Sequence, residues 1–211
     1  MDIISNRINA LVFIVFGFIF NKVFKSIKIK NTMKMNDAAL NKIKKEYDDF
    51  YRHLMKKGKL PMWSTSKGFW NAAVACEVYE AFKKLKLNKF KNFLDIGSGD
   101  GKVVLIASLF CKNAEGVEID NFLHSKAVEI KDKFKISNAA FHNKDLFEHD
   151  FSKYDVLFLA PDAPLERGLE NKLLKEMRGK LIHYGHHFHP RFLKKENEIL
   201  VNGNLVSLYS K

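Results

Sequence analysis

The chain has 211 residues, 46% of them hydrophobic and 19 of them phenylalanine, which suits one medium domain plus an extension. Its two cysteines, Cys76 and Cys111, are too far apart in sequence for a disulfide framework or a cysteine metal cluster, and suit a reducing compartment. The net charge of +12 is uneven: residues 1 to 59 hold 13 Lys/Arg against 5 Asp/Glu, and residues 60 to 211 hold 23 against 19, so the basic excess weakens a nucleic-acid reading and favours an anionic membrane surface.

Ile8 to Phe20 is apolar except for Asn9, and Val23 and Phe24 extend the run. As a helix, residues 8–24 reach about 25 Å against a hydrocarbon core of about 30 Å, a marginal span that Arg7, Lys22 and Lys25 help by snorkelling. No small-residue cleavage site follows, and Lys22, Lys25, Lys28 and Lys30 place the remainder on the cytoplasmic side. Residues 1–30 therefore read as a membrane anchor with a basic flank. The alternative is an amphipathic or core-packed helix on a cytoplasmic protein.

Residues 31–59 form a basic connection. Leu40, Ile43, Tyr47, Phe50, Tyr51 and Leu54 recur at spacings of three and four, which predicts a helix from Asn36 to Lys57, stopped by Gly58. Its lysine face is either solvated or laid on a membrane or partner. From residue 60 a catalytic domain runs to 211. Leu60 to Thr65 reads as a turn into a helix capped by Ser64 or Thr65, with Val74, Val78, Phe82 and Leu85 buried; Trp63 and Thr65 are candidate lid residues.

Asn92 to Val104 organises the domain. An apolar run (Phe93, Leu94, Ile96) carries Asp95 near its end, breaks into Gly97, Ser98, Gly99, Asp100 and Gly101, and resumes with helical periodicity from Val103. This is a buried strand, a glycine turn and a helix start, as in nucleotide-binding α/β sheets. Gly97 is expected to make the tight turn, Gly99 to admit a ligand against the backbone, and Gly101 to pack helix on strand. The spacing is Gly-x-Gly-x-Gly, and Asp95 and Asp100 would repel a pyrophosphate but attract an ammonium. The stretch resembles class I S-adenosylmethionine (SAM)-dependent methyltransferases, which implies SAM as cofactor, bound by Asp95, Gly97, Ser98, Gly99 and Gly101.

Ala114 to Asp120 reads as a second strand ending in an acid 21 residues beyond Gly97, placed to accept both ribose hydroxyls; Glu118 is preferred, with Asp120 as the alternative. A helix from Phe122 to Phe134 and a strand from Ala139 to His142 follow. In the resembled fold the next turn, Asp145 and Leu146, holds the adenine through a carboxylate and a backbone N–H. Asp155 to Leu159 is the fourth strand, and by the switch-point rule the loop Ala160 to Pro164 lies beside the transferable methyl. Asp162-Ala163-Pro164-Leu165 lacks the second proline and the aromatic that methyltransferases acting on bases often carry there, which counts against a base substrate.

A helix from Leu165 to Met177 and a fifth strand from Lys180 to Tyr184 lead into His186, His187 and His189. With His183 these invite a metal reading, but no carboxylate lies at helpful spacing and class I methyl transfer needs none, so no metal site is expected. Residues 198–209 form a hairpin around Asn202-Gly203. The expected fold is α/β: a Rossmann-like doubly wound sheet, mostly parallel, with a C-terminal antiparallel hairpin and an N-terminal hydrophobic helix.

Phe93 to Val104, Gly116 to Asp120, Phe158 to Leu173 and the closing hairpin look like the seven-strand protein-lysine methyltransferases, a group with archaeal members and mitochondrial ones that modify ATP synthase subunit c and the adenine nucleotide translocase. The resemblance implies in-line transfer to a lysine side chain, which must first lose a proton. Asp162, Tyr184 and His186 are the reachable bases, Asp162 first. RNA methylation, NAD-dependent oxidoreduction and a non-catalytic membrane-tethered module are the other readings.

Overall fold

The computed structural model describes residues 36–65, 67–165 and 168–211. The expected anchor at residues 8–24 lies outside them, and among the described residues no helix is long and apolar enough to cross a membrane. The chain divides into two compact units, Met1–Asn41 and Lys42–Lys211, of which the second carries the sheet.

Helix α1, over residues 36–56, ends just before Gly58 takes a φ of +72°. From Lys42 onward Ile43, Tyr47 and Leu54 are buried while Lys42, Lys45 and Lys56 face solvent, so this is a packed helix with a solvated back.

The expected turn into a long helix is instead a hairpin, β1 (Met62–Ser64) and β2 (Phe69–Asn71). Trp63 pairs with Trp70 across it, with ring centroids 4.3 Å apart, and burying two indoles on one face outweighs helix continuation. Helix α2 begins only at Ala75 and runs to Lys84. Val78 and Phe82 are buried as predicted, but Val74 is an exposed N-cap and Leu85 the C-cap.

The main sheet is built from β3 (Asn92–Ile96), β4 (Asn113–Glu118), β5 (Ala139–Asn143), β6 (Val156–Leu159), β7 (Lys180–Tyr184), β8 (Lys194–Val201) and β9 (Asn204–Ser210). Their order is β5-β4-β3-β6-β7-β9-β8; the first five are parallel, and β9 inserts antiparallel between β7 and β8. Asn202 and Gly203, with φ of 50° and 89°, supply the two left-handed residues of the hairpin turn. The expected mostly parallel sheet with its C-terminal antiparallel hairpin is therefore observed. The order reverses at β3, flanked by β4 and β6, which opens a crevice at the carboxyl ends of these strands.

Pleating sorts the core into two layers. Phe93 and Phe158 point to the face covered by α2, where the Phe82 ring lies 5.6 and 5.8 Å from theirs. Leu94, Ile96, Val117, Leu157 and Leu181 point to the other, against Phe151, Tyr154, Leu173 and Met177. Helix α3 is Lys102–Ala107 and α4 is Asn121–Lys133. Helix α5, predicted from Leu165, covers only Leu169–Glu176. The link from β5 to β6 carries one short 3-10 turn, Leu146–Glu148, in place of a helix.

Candidate active site

Gly97, Gly99 and Gly101 all have positive φ, 71°, 53° and 80°, as the turn out of β3 requires. Their surroundings differ. A side chain on Gly97 would meet nothing within 4 Å, so its open side is where a ligand can approach. One on Gly99 would strike the Trp70 indole at 2.5 Å, so the hairpin makes a close approach to the backbone there. One on Gly101 would run into Ala127 of α4 and Phe141 of β5, so that glycine packs against a neighbouring helix and strand as well as opening α3.

Four of the five N–H groups of the turn, Gly97 to Gly101, bond within the protein. The N–H groups of Gly97 and Ser98 both reach the Val117 carbonyl, at 3.0 and 2.9 Å, and that of Gly101 reaches the Ser98 carbonyl at 2.9 Å. The Gly99 N–H donates to Glu118 Oε2 at 2.8 Å. A pyrophosphate site needs such N–H groups pointing outward, and here they point inward.

The crevice holds a cavity of about 530 Å³, lined among others by Gly97, Glu118, Asp145, Leu146, Phe69 and Asp162. That is the size of a small-molecule site. Glu118 ends β4 and is 9% exposed; its second oxygen accepts the Asp120 N–H at 2.7 Å, so both oxygens are fixed from below. Burial raises its pKa, and the hydrogen bonds from Asp120 and Gly99 oppose that rise. Each oxygen keeps a lone pair for a hydroxyl donor. Asp120, the alternative at this strand end, instead caps α4 through the N–H groups of Phe122 and Leu123.

Asp145 and Leu146 line the same cavity from the β5–β6 link. One Asp145 oxygen accepts the Phe147 N–H at 2.9 Å, and the other lies 3.8 Å from the Lys67 ammonium. Asp162 faces them from the loop after β6 and accepts the backbone N–H of Phe69. A side chain at Gly68 would meet that carboxylate at 2.6 Å. The β1–β2 hairpin is thus held over the cavity at Asp145 and Asp162. Thr65 lines the cavity as a lid residue would, whereas Trp63 is packed on Trp70 and Phe122.

Several predicted residues stand elsewhere. Asp95 is 3% exposed and does not line the cavity; burial, then the charges of Glu118 and Asp100, push its pKa well up. Ser98 turns its buried hydroxyl onto Gly116, where a Cβ would lie 2.6 Å away. Asp100 turns away from the crevice: its carboxylate accepts from the Tyr51 hydroxyl, which in turn accepts from Lys102 Nζ at 2.7 Å. Tyr184 donates to Glu77 at 2.7 Å, and exposed His186 bonds the Gly203 carbonyl at 2.8 Å; neither lines the cavity. Of the three candidate bases only Asp162 is placed there. Sequence reading overlooked Lys67, Gly68, Phe69 and Trp70, whose signal was two tryptophans in alternation around a Lys-Gly turn.

The model of the family described as "Histone methylation protein DOT1" matches residues 72–165. No curated protein matches the chain in sequence. Among solved structures, an RNA methyltransferase from Salinibacter ruber in complex with S-adenosyl-L-homocysteine is similar, with a TM-score of 0.56, 22% identity, and coverage of 66% of this chain and 92% of that one. The N-methyltransferase NodS from Bradyrhizobium japonicum has a TM-score of 0.52 at 14% identity, covering 64% and 94%. A tRNA (uracil-54, C5)-methyltransferase from Pyrococcus abyssi, also with S-adenosyl-L-homocysteine, has 0.55 at 16%, covering 67% and 40%. The sheet that frames the crevice, with its reversed order and closing hairpin, is the fold of these methyltransferases.

Proposed function

We propose that this chain is a SAM-dependent methyltransferase that acts on lysine side chains of protein. The observation that carries the cofactor assignment is the glycine turn itself: the N–H groups of Gly97, Ser98, Gly99 and Gly101 are spent internally, one of them on Glu118, while Gly97 stays open to the cavity. That arrangement suits a nucleoside with hydroxyls and an ammonium, and denies a dinucleotide its phosphate donors. Glu118 accepts the ribose hydroxyls. Asp145 and Leu146 flank the adenine, while Asp95 stays buried beneath the turn, outside the cavity. Ser98, Gly99 and Gly101 hold the turn's shape.

SAM supplies the electrophilic methyl when bound. The chain's task is to place a neutral amine in line with it, keep water out and remove a proton. The hairpin over the cavity, with Phe69 and Thr65 in its wall, excludes water. Asp162 is the acid at the loop where the acceptor enters; its second oxygen takes the lysine proton or steadies the ammonium. The DOT1 match across residues 72–165 favours a protein acceptor.

Incubation with methyl-labelled SAM and a cell extract tests this. The expected label sits on lysine and is released by protease. Label released by ribonuclease would move the acceptor to RNA, and calorimetry showing no SAM binding would remove the cofactor assignment.

A further inference from the structure

Away from the cavity, on the sheet face under the β5–β6 link, three side chains of metal-ligand type converge. Glu115 comes from β4, His142 from β5, and His149 from just beyond the 3-10 turn Leu146–Glu148. One ligand atom from each lies within 4.8 Å of the others. His142 Nε2 is 2.6 Å from Glu115 Oε2, and the His142 and His149 rings are 4.8 Å apart. Sequence inspection could not join them, because the residues are spread over 35 positions and the pleat, not the spacing, brings Glu115 and His142 onto one face.

The hydrogen bonds leave a ligand atom over. The Tyr154 hydroxyl donates to Glu115 Oε2 at 2.8 Å, so its oxygen can only accept from His149 Nε2, 2.7 Å away. His149 therefore carries its proton on Nε2, and its Nδ1 keeps a free lone pair. That atom is buried and has no hydrogen-bond partner, in a residue only 2% exposed. Buried acceptors are rarely left so in folded proteins.

We propose that Glu115, His142 and His149 form a structural site for a divalent transition metal of the zinc type. Two imidazoles and one carboxylate are a zinc-like ligand set, with water completing four-coordination. Tyr154, hydrogen-bonded to Glu115, would orient that carboxylate from outside the ligand shell. The metal would fasten β4 and β5 to the link whose first residues, Lys144 to Phe147, line the cavity.

Calorimetric titration of the full chain with zinc chloride tests this. The expected result is one equivalent of zinc bound, with His142→Ala weakening it at least tenfold. Zinc should also raise the melting temperature of the wild type and not that of the variant. His149→Ala should weaken binding as well, but it removes a buried ring. His142→Ala is therefore the deciding variant, with its circular dichroism in zinc-free buffer as the check on folding. A wild-type chain that takes up no zinc at micromolar concentration overturns the proposal. So does zinc held as tightly by His142→Ala, or lost only on replacing His186 and His187 together. None of these readouts depends on SAM, so failure here is distinct from failure of the methyltransferase reading.

Discussion

The carboxylate of Asp162, in the loop after β6, accepts the backbone N–H of Phe69 at the start of β2, 93 residues away in sequence. The bond joins the lid to the floor of the cavity at the point where an acceptor would enter. It also explains why the residue before Phe69 is a glycine, since a Cβ there would lie 2.6 Å from the same carboxylate. One acid thus fastens the hairpin and, on the proposed function, would also meet the acceptor.

Those duties separate by substitution. Asp162→Asn keeps an oxygen for the Phe69 N–H, so SAM affinity should stay within about threefold of wild type while kcat falls by about ten- to a hundredfold. Asp162→Ala removes the acceptor, so SAM affinity should also fall about tenfold, matching the loss of one charge-assisted bond of about 1.5 kcal/mol. Hydrogen exchange at the Phe69 amide checks the latch. Equal protection in Asp162→Ala and wild type would refute it.

Gly97 and Gly99 are two positions apart and should respond oppositely to alanine. Gly97→Ala places a methyl in open space. The fold should lose only the cost of a left-handed alanine, about 1–2 kcal/mol, while SAM binding disappears because the methyl occupies the ligand's side. Gly99→Ala drives a methyl into Trp70 and should cost the fold about 3 kcal/mol or more, from overpacking and backbone strain together. Denaturant unfolding and SAM calorimetry on both variants decide the matter. A Gly97→Ala chain that binds SAM normally would place the cofactor elsewhere.

Glu118 is tied to the turn it is proposed to serve. Glu118→Gln preserves the volume and one acceptor oxygen, and can keep either the Gly99 or the Asp120 N–H. SAM affinity should drop by about a hundredfold, or about 2.7 kcal/mol, because two charge-assisted hydroxyl bonds weaken together. The melting temperature should fall only by a few degrees. Unchanged affinity would separate Glu118 from the ribose.

Much of this architecture was legible in the sequence. The strand, glycine turn and helix around Gly97, the acid at Glu118 and the Asn-Gly hairpin are local signals, each fixed by a backbone conformation that few residues allow. The hairpin at residues 62–71 was not, because its strands are three residues each and the force that forms them is a contact between Trp63 and Trp70. Nor were the fates of Asp95 and Asp100. Both acids sit in the motif, yet burial turns one beneath the sheet end and the other onto Tyr51 and Lys102. Tyr184 ends the right strand and His186 follows it, but their partners, Glu77 of α2 and Gly203 of the hairpin turn, come from distant chain. Sequence gives strand ends well and side-chain direction poorly.

His183 gives a pH signature. It is fully buried in β7, stacked on His189 at 4.3 Å, and burial followed by the His189 charge brings its pKa from 6.5 to about 4. The unfolded chain therefore binds a proton here that the folded chain refuses. This contribution to stability is complete above pH 6.5 and is lost as pH falls from there towards 4. Between pH 7 and pH 5 the loss is about 2 kcal/mol from this one group. Raised carboxylates such as Asp95 and Asp100 act in the opposite direction, because burial makes their charged forms costly and acid relieves that cost. The comparison that isolates the histidine is His183→Leu, which leaves those acids in place. Relative to the variant, wild type should lose about 2 kcal/mol of unfolding free energy over that interval, read from urea midpoints at the two pH values. Parallel pH dependence in the two proteins would mean that His183 takes up its proton in the folded state.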